Sequence, residues 1–356
     1  MATGFGILGA GMISGLHGAA LRDSTKAELV AVCDVAEDRA QKLAGEYAPG
    51  AAVYTKLDDL LADPNVEVLD VVTPNHLHTD AVLAAFAAGK HVLCEKPPAM
   101  SLAETDRMIA AGRRAGRKFG IFVQCRMREP IRRIKQALAE GRFGRLLHAD
   151  AVMKWYRTTE YYQSDPWRCE RRSGAGVTIQ HAFHYIDLLY YLMGPARVVQ
   201  AGMSNLAHPE LAIEDTLGAL VHFQNDVVAS VTASTALWPG RDVRVEIYGD
   251  RGAAVMKGAV LSLWQFQEER PEDEAIRQAG DAAQATAASD PTALPSAEHQ
   301  MVVDDFVDAI REDREPAIPC QSVRPTLEIA LAMYKSDRQG ERPIHLPLED
   351  EQGIWE

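Results

Sequence analysis

The sequence predicts an α/β fold in which an N-terminal, doubly wound parallel sheet precedes a C-terminal α+β domain with a large, mainly antiparallel open sheet. Three observations predict it. Short, almost continuously apolar segments alternate with helical patterns over the first third of the chain, a glycine-rich turn follows the first of these segments, and longer alternating segments fill the second half. We expect one domain over residues 1–125 and the other over 126–356.

The strands of the first domain are expected to be buried on both faces, because parallel strands covered by helices are continuously apolar. The segments with this character are FGILG, LVAVCD, VLDVVT, HVLCE and KFGIFVQ. Between them lie segments with the periodicity of helices: MISGLHGAALR, AEDRAQKLAGEY, HLHTDAVLAAFAAG and SLAETDRMIAAGRRAG. Strand and helix repeated in this order indicate a parallel sheet.

After about residue 126 the pattern changes to that of an α+β domain. A helix, PIRRIKQALAEG, precedes the long strand RLLHADAVMKWYR, and a second helix, GVTIQHAFHYIDLLYYLMG, precedes the alternating segments DTLGALVHF, DVVASVTAST and DVRVEIYG. The short turns QN and GDRG suit antiparallel pairing of these strands. Residues 268–295 are rich in polar and small residues and are expected to form a surface insertion, before closing helices in MVVDDFVDAIRE and VRPTLEIALAMYKSDRQG.

The composition is typical of a soluble globular protein and argues against several classes of function. A formal net charge of -13 over 356 residues argues against a nucleic-acid surface, and we interpret the basic segment RMREPIRRIK as the exposed face of a helix. The N-terminal residues lack the pattern of a signal peptide, and no window reaches the roughly 18 apolar residues of a membrane span. The 5 scattered cysteines suit reduced thiols, so we expect a cytoplasmic protein without a bound metal.

The segment GAGMISG has the features of a phosphate-binding turn. Gly9 and Gly11 follow the first strand, where a tight turn and the close approach of a pyrophosphate require residues without Cβ. The helix that follows directs its first N–H groups at the anion. Ser14 takes the place of the third glycine and is small enough for close packing. We expect dinucleotide contacts from Gly9, Gly11, Met12 and Ile13.

Asp34 ends the second predicted strand, at about the distance from the glycine turn where an acidic residue hydrogen-bonds ribose hydroxyl groups. Val35 follows it, and no Lys or Arg stands beside it to receive a ribose 2′-phosphate, so the sequence favours NAD over NADP. Arg39, one turn into the next helix, keeps NADP open as an alternative. A role as the cap of that helix is the structural alternative for Asp34.

Small or polar residues also follow the strand VLDVV, where Thr73, Pro74 and Asn75 stand at the expected carboxyl edge of the sheet. Because ligands of open α/β sheets bind at this edge, we expect these residues to contact the cofactor. A surface position at the start of the next helix explains His76. For His78 both a surface position and a cofactor contact stay open, and we include it among the expected cofactor contacts.

The segment CEKPP places charged residues at the end of an apolar strand. Glu95 and Lys96 are unsuited to a strand interior without partners, and Pro97 and Pro98 stop the hydrogen-bond ladder. At the carboxyl edge of the sheet, the Lys96 ammonium group can hydrogen-bond a substrate hydroxyl and stabilise negative charge on its oxygen while hydride leaves carbon. Glu95 can orient Lys96, and both are expected beside the cofactor. A surface ion pair is the alternative.

The segments GFGILGAGMIS, TPNHLHTDAVLAAFAAGKHVLCEKPPA and GVTIQHAFHYIDLLYYLMG together resemble the Gfo/Idh/MocA oxidoreductase family, and the resemblance extends to VVDDFVDAIREDREPAIP and GERPIHLPL. Its most specific part is Glu95-Lys96-Pro97 after AGKHVLC. The resemblance implies a Rossmann domain that binds NAD(P), a second domain built on a large open sheet, and a sugar, polyol or nucleotide-sugar substrate. It also implies a homodimer or homotetramer paired through that sheet.

The second catalytic group of this family is a histidine on the first long helix of the second domain, and the matching residue is His184. A histidine there can accept the proton of an alcohol as hydride leaves, and a structural core histidine is the alternative. Helical spacing in QHAFHYID predicts that Gln180, His184 and Asp187 share one face, with His181 beside them. Many polyol dehydrogenases of the family have an acidic residue where Gln180 stands, which weakens an assignment to sugar or inositol substrates.

The loop YYQSDPWRCERRSGAG and the strand before it supply further aromatic and basic side chains: Lys154, Arg157, Tyr161, Tyr162, Trp167 and Arg168. Aromatic faces and guanidinium groups suit a sugar ring or an anionic group such as a carboxylate or diphosphate. Each can also pack or pair at the surface, and we expect only Trp167 and Arg168 in the site. The expected substrate contacts are then Lys96, Trp167, Arg168, Gln180, His181 and His184.

The sequence therefore predicts an NAD-dependent oxidoreductase that transfers hydride between a secondary alcohol carbon of a sugar-like substrate and nicotinamide, with Lys96 orienting the oxygen and His184 exchanging the proton. Two alternatives stay open. Some relatives retain NAD and use transient oxidation to cleave a glycosidic bond. A non-catalytic regulator that binds dinucleotide would keep the fold, but the presence of Lys96 and His184 argues against it.

Overall fold

The structure, a computed structural model, describes residues 2–174, 176–279 and 296–355. The chain divides into two compact units. The first comprises Met1–Gln124 and Pro295–Arg324, and the second comprises Cys125–Leu294 and Pro325–Glu356. Each unit contains one sheet, of six strands in the first and eight in the second.

The sheet of the first unit is parallel throughout. Its strands are β1 (Thr3–Leu8), β2 (Ala27–Cys33), β3 (Ala52–Tyr54), β4 (Val68–Val71), β5 (His91–Glu95) and β6 (Phe119–Phe122). Their order across the sheet is β3-β2-β1-β4-β5-β6, so the direction of winding reverses between β1 and β4. This is the strand order of the dinucleotide-binding fold, and it confirms the predicted doubly wound parallel sheet.

The sheet of the second unit is mainly antiparallel, as predicted. Its strands are β7 (Leu146–Tyr156), β8 (Ala196–Ser204), β9 (Thr216–Phe223), β10 (Val228–Ser234), β11 (Ala236–Gly249), β12 (Gly252–Lys257), β13 (Val260–Phe266) and β14 (Ile344–His345). They are ordered β13-β12-β11-β7-β10-β9-β8-β14, and among these strands only β7 and β10 pair in parallel. The antiparallel turns between β9 and β10 and between β11 and β12 fall at the predicted QN and GDRG segments.

The helices of the described residues are α1 (Ser14–Asp23), α2 (Glu37–Tyr47), α3 (Leu57–Ala62), α4 (His78–Ala87), α5 (Leu102–Ala115), α6 (Glu129–Ala139), α7 (Thr159–Gln163), α8 (Phe183–Met193), α9 (Asp273–Ala279), α10 (Ala297–Arg311) and α11 (Cys320–Arg338). None of them is both long and apolar enough to cross a membrane. In the second unit α8 packs on β7 and β11, and β7 contributes small buried residues such as Ala149 and Ala151.

Helix α10 lies in the first unit, whereas the sequence grouped it with residues 126–356. It packs against α1, β2 and β6. Two of its carboxylates anchor it there: Asp304 accepts a hydrogen bond from the Ser24 hydroxyl at 2.5 Å, and Asp308 accepts one from the Lys26 ammonium group at 2.5 Å. The chain therefore returns to the parallel sheet after the second sheet is complete, which local sequence patterns do not reveal.

The predicted insertion at 268–295 begins with an anchored helix. The buried Asp273 carboxylate, at the start of α9, accepts hydrogen bonds from the Arg142 guanidinium group at 2.6 Å and from the Trp264 indole at 2.7 Å. These bonds hold α9 against β13. Residues 280–295 of the predicted insertion lie outside the described residues.

A buried ion pair lies in the core of the second unit. The Asp187 carboxylate of α8 accepts hydrogen bonds from Arg126 Nη2 at 2.6 Å and Nε at 2.7 Å, and from the Thr326 hydroxyl at 2.8 Å. The side chains of the pair are only 4% and 0% exposed for Arg126 and Asp187. A bidentate pair with a third donor is the arrangement that offsets the cost of desolvating two charges.

We predict that Asp187→Ala lowers the free energy of unfolding of the second unit by about 3–5 kcal/mol, because it leaves the Arg126 cation buried without its carboxylate. Urea denaturation followed by circular dichroism measures the change. The control is Glu274→Ala, which removes the exposed carboxylate that pairs with Arg277 at 3.0 Å and should change stability little. Equal losses in the two variants would contradict the assigned role of the buried pair.

Candidate functional site

The turn after β1 depends on a glycine at position 9. Gly9 has φ of 102°, and an added Cβ would lie 2.7 Å from the Val72 carbonyl oxygen. No other residue fits this backbone without strain. Gly11 is different, because an added Cβ would meet no protein atom within 4 Å. The open space beside Gly11 suits the close approach of a ligand to the backbone, as a bound pyrophosphate requires.

The N-terminus of α1 follows this turn directly. Ile13 precedes the helix and provides no side-chain cap, while the Ser14 N–H donates to the Gly11 carbonyl at 3.2 Å and the Leu16 N–H donates to the Ile13 carbonyl at 3.0 Å. A helix N-terminus of this kind attracts an anion. The Ser14 hydroxyl donates to the Gly11 carbonyl oxygen at 2.6 Å, and Ser14 is buried, in keeping with the place of the third glycine. Met12 is 47% exposed beside the turn. The predicted contacts Gly9, Gly11, Met12 and Ile13 therefore lie in one turn.

Asp34 follows β2 and is bonded to the glycine turn. Its Oδ2 accepts the Ala10 N–H at 2.7 Å and its Oδ1 accepts the Ala36 N–H at 2.8 Å. The carboxylate thus ties the end of β2 to the turn after β1, and it closes the loop that enters α2 at Ala36. Val35 beside it is 93% exposed. A carboxylate with two oxygens retains lone pairs for further donors such as ribose hydroxyl groups.

Thr73, Pro74 and Asn75 follow β4, next to β1 in the sheet. The Thr73 hydroxyl is buried and makes no hydrogen bond to a described residue. A buried hydroxyl without a partner is uncommon, and it is the kind of group that a ligand satisfies. Asn75 is buried at 7% exposure, whereas His76 is exposed, as expected for a helix-start position. The open space beside Gly11 and this hydroxyl both fit a bound dinucleotide.

His78 is fully buried and joins two turns of the first unit. Its Nε2 lies 3.0 Å from the Thr73 carbonyl oxygen, and its Nδ1 lies 2.9 Å from the Pro97 carbonyl oxygen. Burial lowers the pKa of His78, so the ring is neutral and donates to one of the two carbonyl groups. The side chain is not at the surface. It braces the turn after β4 against the turn after β5.

Glu95 ends β5 and Lys96 follows it, and the Lys96–Pro97 peptide is cis. Glu95 is buried, while Lys96 is partly exposed. The Oε2 of Glu95 accepts the Lys96 backbone N–H at 3.1 Å. Although burial raises the pKa of Glu95, the hydrogen bond and charge of His17 and the charge of Lys96 lower it to about 2. Glu95 is therefore ionised beside Lys96, as the predicted orienting role requires.

Two residues of this network were missed from the sequence. His17 of α1 hydrogen-bonds Glu95, and its second nitrogen lies 2.9 Å from the Asp70 carboxylate in β4. The available signal was Asp70, which interrupts the apolar strand VLDVV, because a carboxylate within a buried parallel strand requires a buried partner. The sequence did not indicate which residue that partner was.

The predicted catalytic helix of the second unit does not begin as a regular α-helix. Val177–His181 forms a π-helical turn, closed by the Ala182 N–H donating to the Val177 carbonyl at 2.7 Å, and α8 begins at Phe183. The wider turn changes the spacing assumed for QHAFHYID. It alters the spacing between Gln180 and His184, whereas Asp187 follows His184 within the regular helix α8 and is fully buried against Arg126. Turns of this kind are frequent at functional sites.

A buried glutamate, also missed from the sequence, holds the start of this turn. The Glu214 carboxylate accepts the Thr178 N–H at 3.1 Å and the Tyr334 hydroxyl at 2.6 Å, and its backbone carbonyl accepts the Val177 N–H. Gly176 approaches so closely that an added Cβ would lie 2.4 Å from the carboxylate oxygens. Burial raises the pKa of Glu214, and Tyr334 and Arg171 oppose that rise. These bonds to Glu214 therefore fix the position of the turn that carries Gln180 and His181.

The Tyr161 hydroxyl joins most of the predicted substrate contacts. It lies 3.1 Å from Arg168 Nη1, 3.4 Å from Gln180 Nε2 and 3.4 Å from His181 Nε2. The Arg168 guanidinium group lies over the Trp167 ring at 4.7 Å and over the Tyr161 ring at 5.0 Å. The structure thus brings Trp167, Arg168, Gln180 and His181 together. The sequence named Tyr161 as a candidate but did not place it in the site.

The remaining candidates of the second unit have different surroundings. His184 is partly exposed on α8, with its ring 6.5 Å from that of Tyr185. Tyr162 is buried and bonds Thr235 at 2.6 Å, which is a core role. Arg157, which the sequence left outside the site, is buried with its guanidinium group 5.5 Å from the Tyr161 ring. It adds a second arginine to the cluster around Tyr161.

Comparisons with known proteins agree on one family. The model described as "Oxidoreductase family, NAD-binding Rossmann fold" (GFO_IDH_MocA) matches residues 3–123, and the GFO/IDH/MocA C-terminal domain model matches residues 131–255. The 1,5-anhydro-D-fructose reductase of Ensifer adhaerens is 32% identical over 255 residues, which are 70% of this chain and 74% of that enzyme. The myo-inositol 2-dehydrogenase of Thermotoga maritima is 28% identical over 251 residues, or 69% of this chain and 73% of that enzyme.

A solved structure is similar over nearly the full length. It is the WlbA dehydrogenase of Bordetella pertussis in complex with NADH and UDP-GlcNAcA, at 30% sequence identity and a TM-score of 0.85. The match covers 98% of this chain and 100% of that chain. The resemblance expected from the sequence segments is therefore found in both sequence and fold.

We predict that Gly9→Ala lowers the free energy of unfolding by about 1–3 kcal/mol, because the new Cβ meets the Val72 carbonyl group at a φ that L-residues rarely adopt. Gly11→Ala is the matched control, and its stability should stay close to that of the parent protein. Urea unfolding of the two variants measures the difference. A comparable loss in Gly11→Ala would contradict the open space found there.

Proposed function

Because the chain belongs to the Gfo/Idh/MocA family of NAD-binding oxidoreductases, we propose that it transfers hydride between NAD and a secondary alcohol carbon of a sugar derivative. The first unit binds the cofactor and the second binds the substrate. The observation that carries the proposal is that the glycine turn, the buried Thr73 hydroxyl and Lys96 follow three neighbouring parallel strands. Bound NAD supplies a nicotinamide carbon that accepts or returns the hydride.

The cofactor is NAD, and the first unit offers the residues to hold it. Backbone N–H groups after Gly11 and at the start of α1 face the pyrophosphate, and Asp34 accepts the ribose hydroxyl groups. No Lys or Arg adjoins Asp34 in the sequence to favour a 2′-phosphate. The proposed contacts are Gly9, Gly11, Met12, Ile13, Asp34, Thr73, Pro74, Asn75, Glu95 and Lys96. His78, expected among them from the sequence, is fully buried and instead supports the turns at Thr73 and Pro97.

Lys96 and His184 are the proposed catalytic residues. The Lys96 ammonium group donates a hydrogen bond to the reacting oxygen and stabilises the negative charge that develops there during oxidation. His184 accepts the hydroxyl proton through a ring nitrogen and returns it in the reverse direction. Both side chains are partly exposed in their units, which gives a substrate access to them.

The cluster around Tyr161 is the proposed binding site for the rest of the substrate. Trp167 offers an aromatic face to a sugar ring, while Gln180 and His181 offer hydrogen bonds to hydroxyl groups. Arg168 offers a guanidinium group that suits a carboxylate or phosphate. The Gln180 amide is neutral, so this side chain does not repel an anionic substrate. The nucleotide sugar UDP-GlcNAcA in the Bordetella pertussis complex supports this class.

The first experiment is a substrate screen followed by the absorbance of NADH, with NAD and NADP in parallel. The panel pairs neutral sugars and polyols with sugar acids and nucleotide sugars. Reduction of NAD by an acidic or nucleotide sugar supports the full proposal, and reduction by neutral substrates alone removes the anionic part. If purified protein retains NAD and no member gives net reduction, product analysis tests the redox-neutral alternative, in which transient oxidation cleaves a glycosidic bond.

We predict that Lys96→Met lowers kcat by about 100-fold or more with the substrate found, because it removes the donor to the developing negative charge. The dissociation constant of NADH, measured by fluorescence titration, should change less than about threefold, which separates lost chemistry from lost cofactor binding. The control is Lys56→Met, which alters an exposed lysine of the same unit. Normal turnover by Lys96→Met would refute the proposed role of the CEKPP segment.

We propose further that two copies pair through the open sheet of the second unit. Helices of the unit cover one face of this sheet, whereas the other face carries Leu220 at 44% exposure, beside the half-buried Val228 and His222. A large sheet face with exposed apolar residues is typical of an interface.

The mass from light scattering tests this pairing. A dimer or tetramer of the 39.0 kDa chain is expected, and Leu220→Glu should shift it toward the monomer because a carboxylate is costly at an apolar interface. Leu206→Glu, at a loop position with 76% exposure, is the control and should not shift the mass. A monomeric parent protein would refute the pairing.

A further inference from the structure

The His17 imidazole lies between two carboxylates in the interior of the first unit. Its Nδ1 is 2.9 Å from Asp70 Oδ2, and its Nε2 is 3.1 Å from Glu95 Oε1. The side chains of His17 and Asp70 are 0% exposed and that of Glu95 is 11% exposed. The edge of the ring packs on Phe122, with ring centroids 4.3 Å apart. Such a group can neither reach solvent nor turn without breaking both contacts.

The geometry defines the charge of this histidine. Each ring nitrogen faces a carboxylate oxygen, so both nitrogens donate and the ring is an imidazolium. Although burial lowers the pKa of His17, the two carboxylates raise it to about 10. Burial raises the pKa of Asp70, and the charge and hydrogen bond of His17 oppose that rise. With both carboxylates ionised, the network is negative at Asp70, positive at His17, negative at Glu95 and positive at Lys96. Each charge therefore has an opposite neighbour.

Glu95 links this chain of charges to the proposed catalytic lysine. One carboxylate oxygen accepts from His17 and the other accepts the Lys96 backbone N–H at 3.1 Å. A rotation of the carboxylate that lost one of these bonds would also lose the other. The position of the Lys96 backbone therefore depends on the bond that His17 makes on the far side of Glu95.

We propose that His17 is a positioning residue for Lys96, acting through Glu95. It fixes the carboxylate that holds the Lys96 backbone, and it neutralises part of the negative charge that faces the Lys96 ammonium group. The inference rests on the proposed function, in which Lys96 contacts the substrate. Asp70 completes the arrangement by orienting the His17 ring, as carboxylates commonly orient histidines.

Several charged or titratable groups face Glu95. They are His17 from α1, Asp70 from β4, Lys96 from the turn after β5, His78 from α4 and His299 from α10. One nitrogen or oxygen atom each of His17, Glu95 and His299 lies within 4.8 Å of the other two, which is also compatible with a metal ion. The hydrogen bonds of His17 to both carboxylates favour an ionic network over a metal site at this position. The test therefore includes an analysis of the metal content of the protein.

The test does not require the substrate. The full chain is trace-labelled with acetic anhydride at about pH 9, and the acetyl group on Lys96 is quantified by mass spectrometry of the peptide that contains it. The rate of labelling measures the fraction of Lys96 present as the reactive amine. Glu95→Gln should accelerate it about threefold or more, because a carboxylate that favours the ammonium form is lost. His17→Gln should slow it by a similar factor, because the charge of Glu95 is then less neutralised. The double variant should resemble Glu95→Gln.

Opposite effects of the two substitutions distinguish positioning from a merely structural role, since general loosening would accelerate labelling in both. The matched control is His91→Gln, at the other end of β5, where the ring bonds the Lys118 N–H and Arg117 at the surface. It should leave the labelling of Lys96 unchanged. Acceleration by both His17→Gln and Glu95→Gln, or no effect of His17→Gln, would overturn the proposal.

Hydrogen–deuterium exchange gives a second readout. His17→Gln and Glu95→Gln should both accelerate exchange of the Lys96 amide at least about tenfold, while amides in β1 and β6 stay protected. Pro97 and Pro98 carry no N–H, so the signal of this peptide at the turn comes from Lys96. Should His17→Gln fail to fold, Asp70→Asn loosens His17 from the other side and should accelerate the same amide. Unchanged exchange in the folded variants would contradict the link.

Two further results separate the possible failures. A metal ion at one equivalent in the parent protein that is lost in His17→Gln would overturn the proposal in favour of a metal site. Normal turnover by Lys96→Met would refute the proposed function while leaving the labelling and exchange results valid as statements about Lys96. Failure of the inference and failure of the proposed function are thus distinguished.

Discussion

All strands of the first sheet run in the same direction, and this constraint determines where its chemistry lies. Because the carboxyl ends of parallel strands share one edge, the residues that follow β1, β2, β4 and β5 are brought to that edge whatever their separation in sequence. They include Gly9, Asp34, Thr73 and Lys96. The bond from Asp34 to the Ala10 N–H and the contacts of His78 with Thr73 and Pro97 then fix one turn against the next. Hydrogen bonds therefore connect the turns at this edge of the sheet to one another.

Buried carboxylates hold segments of the site in place in both units. In the first, Glu95 holds the backbone at Lys96, and in the second, Glu214 holds the turn before α8 while Asp187 holds α8 itself. Each is buried, so each is desolvated at a cost that only close donors offset. That cost makes the arrangement specific, because a displaced carboxylate would lose several donors at once. The residues proposed for catalysis, Lys96 and His184, are themselves partly exposed.

The sequence predicted the fold class, most strands and the glycine turn, because each depends on local pattern: continuous apolar segments, periodicity, and glycine where a Cβ has no room. It missed β3, whose three residues are too few to show a pattern, and it also missed β8, β12, β13 and β14 of the second sheet. It grouped α10 with residues 126–356 because packing on α1 is not a local property. Within the candidate site it identified side chains at strand ends. It missed His17 and Glu214, because their roles depend on partners that are distant in sequence. His17 is 53 residues from Asp70 and farther from Glu95, and Glu214 is 36 residues from Thr178.

The π-helical turn at Val177–His181 departs from the regular helix that the sequence predicted, and it carries residues of the candidate site. The wider turn precedes α8 and shifts Gln180 from the spacing of a regular helix, and the Gln180 amide donates to the Tyr161 hydroxyl at 3.4 Å. Asp187, the acidic side chain of QHAFHYID, pairs with Arg126 in the core. The guanidinium groups of Arg157 and Arg168 lie 5.5 and 5.0 Å from the Tyr161 ring, and the Asp165 carboxylate lies 3.7 Å from Arg168 Nε. The backbone irregularity therefore places an amide and an imidazole, rather than a carboxylate, beside the Tyr161 hydroxyl.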